Sequence, residues 1–150
     1  MMNKFTLSYI LLVNAAIIAL AIADMISGNI FLKYIFFIIN SIVSIYCVFH
    51  ITKKYAYHYL CATNLIQAFS LMLFGFSFKF LLGPDLSFFL YSEGDLKSTL
   101  SFKIFNVFLI CSKGSEINDW VIGINFIHLF VFFHLFSLIS KSKTKISNVA

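Results

Sequence analysis

Arginine is absent from this chain, and proline occurs once, at Pro84. Without a guanidinium fork, bidentate recognition of phosphate or carboxylate is excluded. Charge is scarce as well. Only 11% of the 150 residues are charged, against about 25% in an ordinary soluble domain. The three cysteines, Cys47, Cys61 and Cys111, form no CxxC pair and no metal-like spacing, which argues against a disulfide framework or a thiolate metal site. No nucleophile motif, phosphate loop or carboxylate pair is present. The expectation is a protein that is not an enzyme, with no cofactor and no metal.

What the chain has in excess is apolar bulk. It is 61% hydrophobic, with 20 phenylalanines. A chain of this size has too much surface to hide that excess in water, so the composition predicts residence in a bilayer. The net charge of +5 forms no basic stripe interleaved with exposed aromatics, so nucleic acid is not expected as a partner. The lysines lie between and beyond the apolar runs.

About 20 helical residues cross a ~30 Å hydrocarbon core. Four runs reach that length, at about 5–23, 33–52, 56–80 and 120–140. The sequence therefore predicts an all-α polytopic membrane protein, a single four-helix transmembrane domain over 1–150. Gly83-Pro84-Asp85 reads as the turn that ends the third run, Asn118 as the cap of the fourth, and Trp120 as its interfacial anchor. Lys4, Lys53, Lys54, Lys141, Lys143 and Lys145 fall on one side of such a bundle. The positive-inside rule then places both termini in the cytoplasm or an organelle's matrix, within a bacterial inner membrane or an organelle inner membrane. Residues 83–119 become an extracytoplasmic loop. Within it, 98–111 is too short to span, and Thr99, Lys103 and Asn106 recur at helical spacing, as in an amphipathic helix lying in the interface. A short strand or hairpin is the alternative for that segment.

No charge falls in the middle of any predicted span, which speaks against proton relays and ion pathways. The spans carry amides and imidazole instead. Asn14, Asn40, Gln67, Asn125 and His128 make a candidate intramembrane polar cluster, serving either as hydrogen-bonding glue between helices or as the lining of a small polar site. Asn64 lies three residues from Gln67. His128 and His134 are six apart and cannot share a ligand on one helix face. Ala15, Ala19 and Ala23 recur every four residues, a small-residue pattern for close helix packing.

These features suit a small non-enzymatic membrane protein of binding or protective type, contacting the lipid bilayer and another membrane protein. In architecture alone it resembles the immunity proteins that protect bacteria from pore-forming bacteriocins. A structural or assembly subunit of a larger membrane complex is the alternative, and a small transporter with an uncharged polar midplane is the second. The first run ends Ala21-Ile22-Ala23, a pattern that signal peptidase cuts after. Its length of about nineteen residues exceeds the 7–15 of a secretory h-region, so the segment is expected to be retained. Sequencing the mature N-terminus checks this: a start at Asp24 would show cleavage.

Overall fold

The apolar runs of this chain divide by their internal period. Residues 5–26 contain five alanines among leucines and isoleucines, all compatible with a helix. Residues 69–113 contain no alanine and ten of the twenty phenylalanines. There, Phe76-Ser77-Phe78-Lys79-Phe80 and Thr99-Leu100-Ser101-Phe102-Lys103-Ile104 alternate strictly between apolar and polar, which is the period of a strand. The computed structural model follows this division. It describes residues 4–27, 32–73, 76–93, 95–113 and 120–147. The order is α1 (Lys4–Ile26), α2 (Leu32–Phe49), α3 (Lys54–Ala68), β1 (Phe69–Leu73), β2 (Phe76–Glu93), β3 (Asp95–Lys113), β4 (Trp120–Asn125) and α4 (Phe126–Ser147).

This mixed α/β architecture overturns the expected four-span bundle. Among the described residues one helix, Lys4–Ile26, is long and apolar enough to cross a membrane; the apolar stretches Tyr34–Phe49 and Phe126–Ser137 are shorter. The third predicted span stops being helical at Ala68, where the aromatic and alternating segment begins. The fourth is a strand as far as Asn125. Lysines that alternate sides only across four spans no longer define an orientation, so the integral multi-span localisation and the cytoplasmic placement of both termini fall. The expected bilayer and membrane-protein partners fall with them. So does the likeness to immunity proteins, which rested on that architecture, together with the subunit and transporter alternatives. The described residues of the 83–119 loop, 83–93 and 95–113, are part of β2 and all of β3. Asn118 lies outside the described residues.

The chain divides into two compact units. One comprises residues 1–63 and 130–150 and is helical among its described residues. Its core gathers Ile10 from α1, Cys47 and Val48 from α2, Ala56, Leu60 and Cys61 from α3, and Val131 and Leu135 from α4. The link from α2 to α3 is short: the Lys53 N–H donates to His50 O, and the Ala56 N–H to Lys53 O. The second unit, residues 64–129, holds a four-stranded antiparallel sheet in the order β1-β4-β2-β3, in which β1 also pairs with β2. β2 and β3 form a long ribbon, from Phe76 opposite Lys113 to Glu93 opposite Asp95.

Burial pushes the Cys61 thiol up to about 11 and raises the Cys47 thiol as well. A raised thiol pKa gives stability that is complete below the unfolded value of 9 and is lost as pH climbs through the folded one. In the folded protein at pH 8, Cys61 should react with a thiol reagent at least about 100-fold more slowly than in denaturant, because two pKa units remove that much thiolate. Timed labelling with mass spectrometry checks it; equal rates would show an accessible thiol.

Candidate functional site

A β-strand has no room for proline except at an edge or an irregularity, and Pro84 sits at an irregularity. Asp85 pairs with Lys103 and Gly83 with Asn106, so two steps along β2 match three along β3. The extra residue is a β-bulge in β3. Gly83 takes a φ of 117°, a conformation open to glycine at little cost. The segment expected to end the third run with a turn is thus an irregularity inside a continuous strand.

The bulge also decides which side chains meet. Phe89, Asp85 and Gly83 lie at even spacing on β2, opposite Thr99, Lys103 and Asn106. Directly paired residues share a face, so Thr99, Lys103 and Asn106 share one side of the sheet. They do so as strand residues with one bulge, and the expected interfacial helix over 98–111 is replaced by β3.

Asp85 is the centre of the site. It is 1% exposed. Asn106 Nδ2 donates to Asp85 Oδ2 at 3.0 Å, Asn125 Nδ2 donates to Oδ1 at 3.2 Å, and the Ser87 hydroxyl donates to Oδ1. Lys79 Nζ lies 3.5 Å from Oδ2. A buried carboxylate is tolerable only when paired and hydrogen-bonded, and this one has both kinds of partner.

Asn125 extends the network. Its Nδ2 also donates to Pro84 O at 3.3 Å. Its Oδ1 accepts the N–H groups of Ile127 at 2.9 Å and His128 at 3.3 Å. Asn125 is therefore the N-cap of α4, satisfying two of the N–H groups a helix start leaves open. The cap holds His128, which is 2% exposed, with Nδ1 3.1 Å from Asn64 Oδ1. An amide oxygen only accepts, so Nδ1 carries the proton. Nε2 is then a bare lone pair, buried and without a hydrogen-bond partner. Burial lowers the His128 pKa to about 4, with the charge of Asp85 pulling partly the other way. Gln67 ties α3 to β2, its Oε1 accepting the Leu82 N–H at 2.9 Å.

Of the five polar residues singled out by sequence, Gln67, Asn125 and His128 fall in the sheet unit. Asn125 and His128 are joined directly through the helix cap. Asn14 and Asn40 belong to the helical unit and are engaged there. Asn14 Nδ2 donates to Ile10 O at 2.8 Å, and Asn40 Oδ1 accepts from the Tyr59 hydroxyl at 2.8 Å. Ala15, Ala19 and Ala23 are exposed; the buried side of α1 carries Ile10, Val13, Asn14, Ile17 and Ala21. Sequence reasoning missed Asp85 and Ser87, whose signal was a lone acid two residues after a glycine within a strand-like alternation. His134 Nε2 is buried without a partner, and His50 stacks on Tyr46. No group of three His, Cys, Asp or Glu among the described residues is placed to hold a metal ion. Compared with known proteins, the chain matches no family model, no curated protein and no solved structure.

The pH dependence of this site follows from His128. A lowered imidazole pKa gives stability that is complete above the unfolded value of 6.5 and is lost as pH falls toward 4. That window should cost about 3 kcal/mol. Denaturant titrations at pH 7 and pH 4.5 on the native chain and His128→Gln check it. The difference between the two pH values should shrink in the variant, and an unchanged difference would assign the loss to other groups.

Proposed function

We propose that this chain is a non-enzymatic protein-interaction domain that works as a two-fold pair of identical copies joined through β3. The observation that carries this reading is the state of β3. Only β2 pairs with it among the described residues. Its side chains are exposed from Asp95 to Leu100 and again from Phe102 to Ile104. Leu96, Leu100 and Phe102 are 68%, 64% and 66% exposed, and they lie on one face beside Phe88. A long apolar edge strand is a template for pairing unless something covers it.

The sequence of β3 favours a second copy as the cover. An antiparallel pair centred on Thr99 sets Asp95 opposite Lys103 and Leu96 opposite Phe102, each twice by symmetry. A shift to a centre on Leu100 would set Lys97 opposite Lys103, like charge against like. Cross-strand pairs contribute about 0.2–1 kcal/mol each, so the charges select the register while the apolar pairs and backbone bonds supply adhesion. The non-enzymatic part of the reading is supported by the polar cluster. The donors around Asp85 and the oxygen of Asn125 are committed to one another and to the start of α4, which is the behaviour of a structural network.

Thr99→Cys tests the geometry, in a chain whose Cys47, Cys61 and Cys111 are changed to Ala. Residues meeting at an antiparallel two-fold have Cα atoms about 4.5–5.5 Å apart, within disulfide reach. Mild oxidation should give a covalent dimer from Thr99→Cys and none from Leu109→Cys. Lys103→Glu should shift the native chain to monomer in light scattering, and adding Asp95→Lys should restore the dimer. A native chain that stays monomeric at about 100 µM, well above the micromolar range of a modest interface, would overturn the proposal.

A further inference from the structure

We infer that the sheet unit contains a binding site for a small neutral apolar molecule, the size of one aromatic ring or a short alkyl chain. A pocket of about 190 Å³ opens between β1, β2, β3 and β4. Its wall is formed by Leu71, Met72, Phe78, Phe89, Ile110 and Val121, and the polar atoms of the neighbouring serines contribute almost nothing to it. Lys79 also borders the pocket. Its ammonium is directed to Asp85 at 3.5 Å and lies 5.0 Å from the centre of the Phe89 ring. The methylenes are what it offers to the cavity, as long cationic side chains commonly do.

Three features make this a site with a definite preference. The volume of about 190 Å³, in a pocket that is open at one side, is room enough for one aromatic ring, since a closed apolar cavity of roughly 150 Å³ takes up benzene. A wall without donors or acceptors gives water nothing to bond, so an apolar guest displaces solvent at no polar cost. A charged group on a guest finds no partner on this wall, because the nearby ammonium and carboxylate are already paired, and any part of it drawn inward is desolvated without compensation. Gly123 is part of the construction. A Cβ there would lie 2.5 Å from Phe89 Cε1 and would also meet the Ser70 hydroxyl. The missing side chain is what lets the Phe89 ring lie back against β4 and leave the pocket open.

Toluene is the probe, with benzoate and benzylamine as charged molecules of similar shape. Binding is followed by ligand-observed NMR titration of the full chain. Toluene should saturate with a dissociation constant on the order of 0.1–1 mM, in keeping with the efficiency of small apolar ligands. Benzoate and protonated benzylamine should each bind at least about tenfold more weakly. Val121→Phe, which fills the cavity, should abolish saturable toluene binding. Ile110→Phe, at a partly exposed edge position, is the second filling variant should the first fail to fold by circular dichroism. Absence of saturable toluene binding in the native chain would overturn the inference. So would toluene binding that survives in a folded filling variant, or charged molecules that bind as well as toluene.

Discussion

The buried carboxylate of Asp85 is the constraint from which the sheet unit is organised. Removing such a group from water costs several kcal/mol, and its attraction to a cation offsets that cost only if the remaining lone pairs are also satisfied. Lys79 and Ser87 come from the same strand, but Asn106 and Asn125 come from β3 and the end of β4. The acid is therefore stable only where three strands are in register. Asn125 then carries the requirement onward. The side chain that donates to Asp85 also caps α4, and the capped turn presents His128 to Asn64 on α3. One desolvated charge thus fixes strand register, the start of a helix and the setting of a buried imidazole.

The bulge opposite Pro84 is how the chain meets that requirement. Proline cannot donate to a ladder, so the ladder must break there. The extra residue of β3 breaks it in a way that brings Asn106 to the face of Asp85. The glycine before the proline accepts a backbone conformation that other residues rarely adopt. Three residues that look like a stop signal together make a tolerated interruption, and the interruption delivers a hydrogen bond.

Much of the helical part was legible in the sequence. Runs predicted at 5–23 and 33–52 correspond to α1 and α2; the first is rich in alanine and leucine, which favour a helix, whereas the second has neither and reads as helix from its apolar length. The later runs misled because apolar length alone does not separate a buried helix from strands. Phe76 to Phe80 and Thr99 to Ile104 alternate with a period of two, and that period, rather than length, decided the structure. Polar residues within apolar runs drew attention to Gln67, Asn125 and His128, which lie buried in the sheet unit. They could not reveal Asp85, whose burial depends on strand pairings some twenty and forty residues away. The local pattern Gly-Pro-Asp points to solvent, and only the pairings reverse it.

The bulge has a consequence for how this chain can vary through descent. Side chains in β3 other than Asn106 can be exchanged one for another while the sheet keeps its plan. The number of residues between Lys103 and Asn106 is a different kind of quantity. Losing one, or gaining one, reverses inside and outside for every position on one side of the change, so length here is fixed by parity. Related chains that keep Gly83, Pro84, Asp85 and Asn106 would be freer to differ elsewhere along β3, yet bound to change its length by even steps or leave it alone.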